Sequence, residues 1–123
     1  MKLHLDNAKG EYRISGYRPG AIVVNDAAYE GALLVRVDEP PESWQNDRQL
    51  DDEAIDILRA TEPEVLLLGT GSRQHFPAPA SLQALYAANI GFEVMDTRAA
   101  CRTFNILAAE GRRVVAVLQP LED

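Results

Sequence analysis

The chain has one cysteine and two histidines in 123 residues. A single thiol excludes a disulfide framework and a cysteine-rich zinc site, and two imidazoles make a histidine metal centre a poor reading, so no metal and no cofactor is expected. Basic residues are also scarce, with 12 Lys+Arg against 19 Asp+Glu and a net charge of -7. That sign disfavours a general nucleic-acid binder and a binder of anionic membranes. No apolar run approaches membrane-spanning length, so no membrane insertion is expected. The opening MKLHLDNAKGEYR lacks a signal-peptide core, and the expectation is a cytoplasmic protein. What remains is 46% hydrophobic and 25% charged, a composition of one ordinary folded unit spanning residues 1–123.

The negative charge is concentrated. Between Asp38 and Glu64 lie ten acids and two bases (Arg48 and Arg59), so this segment carries -8 and the rest of the chain +1. Such a segment is either a solvated face or a docking surface for a basic partner, with Asp51, Asp52, Glu53 and Asp56 as the candidate contact residues.

Strand signals come first along the chain. Leu3 and Leu5 alternate with polar neighbours, as do Tyr12 and Ile14. After the Pro19-Gly20 turn, the runs 22–24 and 31–37 flank the turn Asn25-Asp26 and read as a hairpin or adjacent strands. Pro40-Pro41 opens a polar loop in which Trp44 is either a plug over the core or a partner anchor.

From Asp51 onward helices and strands alternate. Asp51 can cap a first helix, Asp52 and Glu53 suit its positive end, and Leu50 can staple to Ile55. Ala54, Ile57 and Leu58 form its stripe, and Pro63 marks its exit. Val65-Leu66-Leu67-Leu68 is a run for a strand covered on both faces. Pro79 opens a second helix with Leu82, Leu85 and Tyr86 on one face and Gly91 as terminator. A strand follows at 92–95, then a third helix capped by Asp96 or Thr97, with Ala100, Cys101, Phe104, Leu107 and Ala108 inward and Gly111 closing it; the strand 114–118 is last. This order predicts an α/β fold with a mostly parallel sheet and helices on both sides.

In such sheets ligands bind beyond the carboxyl ends of the strands. Two candidate segments qualify, Gly69-Thr70-Gly71-Ser72-Arg73-Gln74-His75 and Asp96-Thr97-Arg98, with Arg102 one turn further on the third helix. If the strands are parallel, both segments emerge on one edge and offer glycine amides, hydroxyls and guanidinium groups to a small anion or metabolite. The match to a phosphate loop is poor: no Gly-Lys-Ser/Thr follows, and Gln74 stands where a dinucleotide fingerprint needs its third glycine. The two glycines equally suit a tight exit from a buried strand. A nucleophile arrangement of Cys101, His75 and Asp96 is disfavoured, because Cys101 lies on the apolar stripe where a free thiol packs as a small hydrophobe. No catalytic residue is assigned.

Several stretches resemble a known family: Asn25 with Tyr29-Glu30-Gly31, Leu68-Gly69-Thr70-Gly71, Met95-Asp96-Thr97, Thr103-Phe104-Asn105, and Glu110-Gly111-Arg112-Arg113-Val114-Val115-Ala116. Together they are similar to a small single-domain family of uncharacterised function. It includes the mitochondrial respiratory complex I assembly factor and the adipogenesis-associated protein of animals, with bacterial and archaeal members. The resemblance implies a three-layer α/β domain with a central, mostly parallel sheet and an additional β layer from the N-terminal half. It brings no established reaction, cofactor or catalytic set, and it implies an accessory or assembly role through an unidentified protein partner. The runner-up reading is a small-anion or metabolite binder at the two segments above. A homodimer is compatible with either.

Overall fold

The computed structural model describes residues 11–122. The strand expected at Leu3 and Leu5, and His4 between them, lie outside the described residues.

The described residues form two sheets. The first is antiparallel, in the order β1 (Ile14–Arg18), β2 (Ala21–Val24), β3 (Ala27–Glu30). Asn25 and Asp26 both have positive φ (48° and 68°), which matches the two central positions of a tight hairpin turn. That turn leads into β3, a strand not expected from Ala27-Ala28-Tyr29-Glu30, because three of these four residues are exposed and carry no alternation.

The second sheet also contains β4 (Leu33–Arg36), β5 (Glu42–Ser43), β6 (Val65–Gly69), β7 (Phe92–Met95) and β8 (Val114–Leu118), in the order β5-β4-β8-β6-β7. β6 pairs in parallel with β7 and β8, while β4 pairs antiparallel with β8 and β5. The expectation of a mostly parallel sheet is therefore corrected: the sheet is mixed. β4 follows β3 after Gly31 (φ 81°) with no crossover helix to turn it parallel.

Among the described residues there are three helices: α1 (Asp52–Ala60), α2 (Pro79–Ala87) and α3 (Thr97–Ala109). Period-two alternation of the central strands sorts their side chains between two cores. Leu34, Leu66, Leu68, Val115 and Val117 join Ala54, Ile55 and Leu58 of α1 and Leu85 of α2. Leu33, Val35, Leu67, Val114, Ala116 and Leu118 join α3 through Ala100, Cys101, Phe104 and Ala108, and the first sheet through Ile14, Ile22 and Val24. The helices thus cover both faces, and the N-terminal sheet is the extra β layer. Asn105 locks that layer in place: its side-chain carbonyl accepts from the Ile14 amide (3.0 Å) and its amide donates to the Ile14 carbonyl (2.7 Å).

Capping follows the sequence signals with one exception. Asp51 and Asp96 accept from the amides of Ala54 and Ala99, each at 2.9 Å. Gly111 (φ 79°) ends α3, with the Arg112 amide reaching back to the Leu107 carbonyl. In α2 that role falls to Asn89 (φ 58°), not Gly91, with the Ile90 amide bonded to the Leu85 carbonyl. Tyr86 is also not on the buried face of α2. It is 69% exposed and meets Phe92 edge-on, and Ser81 takes the inward position.

Candidate functional site

β6 lies between β8 and β7. The chain leaves it through α2 on one face of the sheet and returns to β8 through α3 on the other. The carboxyl end of β6 is therefore the switch point of the sheet, where open α/β sheets leave a crevice. The two predicted segments do meet there: Thr70 donates its amide to the Met95 carbonyl (2.9 Å), and Gln119, just after β8, donates to Gly69 (2.8 Å).

The space between the two segments is occupied by protein. Thr97 is fully buried; its hydroxyl accepts from the Gly71 amide (2.8 Å) and donates to the Gln119 carbonyl (2.7 Å). Its own amide donates to the Gly71 carbonyl (2.8 Å). A Cβ at position 69 would stand 2.9 Å from Leu118 Cδ2, 3.0 Å from Thr97 Oγ1 and 3.2 Å from Ala100 Cβ, so Gly69 permits this close packing. Gly71 has φ of 95° and turns the chain out of the strand. The glycines thus serve a tight exit, and the Gly71 amide points into Thr97.

The remaining predicted residues divide. Thr70 donates its hydroxyl to the Arg73 carbonyl and receives the His75 amide (3.3 Å), which folds the 70–75 turn. Ser72 accepts from the Glu122 amide (2.8 Å). Arg73 and His75 are exposed on this turn. Asp96 caps α3; Arg98 lies over the Tyr17 ring (5.9 Å to the centroid), toward the N-terminal sheet, and Arg102 is exposed one turn on. Arg98 and Arg102 line neither of the two hollows at this rim.

Both hollows lie between the 44–50 loop and the chain that follows β6. One, of about 320 Å³, is polar and is bordered by Ser72, Arg73, His75 and Gln119. The other, of about 200 Å³, has Leu50, Leu68 and Val117 in its lining, with Trp44 and Phe76. Trp44 is buried, so it plugs the core, yet it also faces this hollow. Arg48 stacks over its ring (4.8 Å) and reaches Asp51 (3.8 Å) and Glu53 (3.6 Å). The loop is held by Ser81, whose hydroxyl accepts from the Leu50 amide (2.9 Å). Phe76 is 70% exposed at the hollow. From Gln74 to Phe92 there is no Asp, Glu, Lys or Arg, so an uncharged α2 lies beside the acids of α1. Sequence reasoning missed Arg48, Leu50, Phe76, Ser81 and Val117 as neighbours; the available signal was a lone Trp four residues before an Arg in a Pro-flanked loop.

The thiol of Cys101 is buried in the α3 core, and burial pushes its pKa from 9.0 to about 12, with the Arg102 charge opposing and the Asp96 charge adding to the rise. It is protonated at neutral pH, in keeping with a packing role. Because the folded pKa lies above the unfolded one, the unfolded thiol loses its proton first, so this group lowers stability as pH climbs above about 9 and has no effect below. Iodoacetamide at pH 8 is expected to label Cys101 only on unfolding; labelling of the folded protein at the rate of a free thiol contradicts the burial. Among the described residues no group of three or more His, Cys, Asp or Glu could hold a metal ion, and no helix is long and apolar enough to cross a membrane.

Comparison with known proteins agrees with the fold. A crystal structure of a Bordetella parapertussis protein is 42% identical, with a TM-score of 0.77 over 92% of this chain and 98% of that one. The 13 kDa major membrane protein of Francisella tularensis is 27% identical over 96% of this chain and 98% of its own length. Mouse NADH dehydrogenase [ubiquinone] 1 alpha subcomplex assembly factor 3 is 37% identical over 75 residues, 59% of this chain but only 40% of that protein. The family described as Protein of unknown function (DUF498/DUF598) matches residues 14–119, so this chain belongs to the DUF498/DUF598 family.

Proposed function

We propose that this chain is an accessory domain of the assembly type, working by binding another protein and not by catalysing a reaction. The similarity to an NADH dehydrogenase assembly factor supports the class of role. One local observation carries the site: Phe76, 70% exposed, stands at an apolar hollow that also touches Asp47 and Arg48, the latter paired with Asp51 and Glu53. Exposed aromatic side chains over a desolvated pocket, with charge at the rim, are the usual anatomy of a contact surface.

The partner this face suits is a basic segment with an apolar anchor. The anchor would enter between Trp44 and Phe76, and its bases would meet Asp51, Asp52, Glu53 and Asp56 on the exposed side of α1. Rim charges mainly speed association and are screened by salt, so binding should weaken as ionic strength rises. The small-anion reading loses its main support, since the Gly71 amide is taken by Thr97. The proposed compartment is the cytoplasm, which cell fractionation tests.

Tagged protein purified from its native host should retain one specific partner at low salt. The double change Asp52→Lys with Glu53→Lys should cut its recovery tenfold or more while leaving the melting temperature within a few degrees. Equal recovery by the variant rejects the face.

A further inference from the structure

A third hollow lies at the other end of the sheet, beside the amino ends of β6 and β8. Its volume is about 370 Å³, and it is lined by Arg36, Arg112 and Arg113 together with Asp38, Thr61 and Glu64. Arg36 is the last residue of β4, opposite Val115 in register. Arg112 and Arg113 follow the turn that ends α3. Three arginines thus line one hollow from two parts of the chain far apart in sequence, and with Asp38 and Glu64 they give its lining a net charge of +1 in a protein of net charge -7.

Their bonding is incomplete. Arg36 Nε is shielded from solvent and has no hydrogen-bond partner among the described residues. A buried donor left unpaired is costly, more so on a charged group. None of the three arginines forms an ion pair among the described residues, although two acids line the same hollow. One of those acids is already engaged: Glu64 Oε1 accepts the Arg113 backbone amide at 2.6 Å. The Arg113 guanidinium donates to the Glu62 carbonyl (3.3 Å), which holds it on the C-terminal end of α1 and leaves its other donors open. Thr61 spends its hydroxyl proton on the Leu58 carbonyl (2.6 Å).

We propose that this hollow binds a small oxyanion, a carboxylate or phosphate group, between the terminal guanidinium nitrogens of Arg36, Arg112 and Arg113, with the buried Arg36 Nε shielded behind them. The planar guanidinium fork matches two oxygens of such a group, and the hollow admits one with a short organic body. The site is independent of the partner face, which lies at the carboxyl ends of the same strands.

Inorganic phosphate and, separately, citrate titrated into the whole protein at constant ionic strength provide the test, followed by amide and arginine Nε–H NMR. Saturable shifts are expected at Arg36 and across 112–115, and a higher melting temperature with whichever anion binds. Saturation by citrate and not phosphate identifies a carboxylate ligand, and the reverse a phosphate ligand. Arg36→Gln should weaken binding at least tenfold and Arg36→Lys should restore it only in part. Arg102→Gln, on the far side of α3, should bind as the wild type does. If Arg36→Gln does not fold, Arg112→Gln and Arg113→Gln carry the same expectation at exposed positions. Shifts that fail to saturate with either anion, that sodium chloride reproduces, or that survive all three glutamine variants overturn the site.

Discussion

Thr97→Val should destabilise the protein by about 2–5 kcal/mol while barely changing its volume. The threonine hydroxyl accepts from the Gly71 amide and donates to the Gln119 carbonyl, joining the ends of β6 and β8 to the start of α3. Valine fills the same space and satisfies neither group. A buried polar group left without a partner costs about 1–3 kcal/mol, with the larger share at Gly71 because it is buried and Gln119 is only half-buried. For a domain of this size the melting temperature should fall on the order of 10–20 °C. Thr97→Ser is the control: it keeps the hydroxyl, loses one methyl, and should cost about 1 kcal/mol. Equal melting temperatures for valine and wild type would mean that the rim is held by packing alone.

A second large effect is expected at Phe104. This side chain is fully buried in the core that α3, the central sheet and the N-terminal sheet share. Truncation of such a residue to alanine costs about 3–5 kcal/mol, part from lost transfer energy and part from the cavity left behind. The loss should not be uniform. The N-terminal sheet is attached to the rest through this core and through the Asn105 bonds to Ile14, so β1 and β2 amides should lose hydrogen-exchange protection before β6 and β8 do. Uniform loss across both sheets would show that the two layers open as one unit.

The alternation after Asp51 was legible because its signals are local. Acids cap two of the helices, Pro79 opens the third, and unbroken apolar runs mark β6 and β8. Strand direction was not. The run Leu33-Leu34-Val35 reports burial on both faces and is silent on polarity, which here follows from the short turn at Gly31. β3 leaves no sequence signal because a short, exposed edge strand needs no hydrophobic pattern. The nearby Gly91 masks the helix-ending role of Asn89, since asparagine takes positive φ less commonly than glycine and gives the weaker signal.

The rim shows the same limit more sharply. The strand-exit pattern groups Gly69, Gly71 and Thr97, and the fold does bring them together. Whether a ligand or a protein side chain fills the space between them depends on where one hydroxyl lies across 26 residues of sequence. The apolar hollow was out of reach for a related reason. Its walls come from the 44–50 loop and from the chain around Phe76 and Ser81, joined by a bond spanning 31 positions. Sequence does disclose that the acids are concentrated; only the fold sets them beside an uncharged helix and an exposed phenylalanine.

The partner face is tested most directly by photocrosslinking in the native host. A photoreactive phenylalanine analogue at position 76 should capture one predominant protein, and the same analogue at Arg102, on the α3 side, should not. Capture at position 76 should disappear when Asp52 and Glu53 are both changed to lysine. The same product from both positions, or undiminished capture in the lysine background, would contradict a docking role for the α1/α2 face.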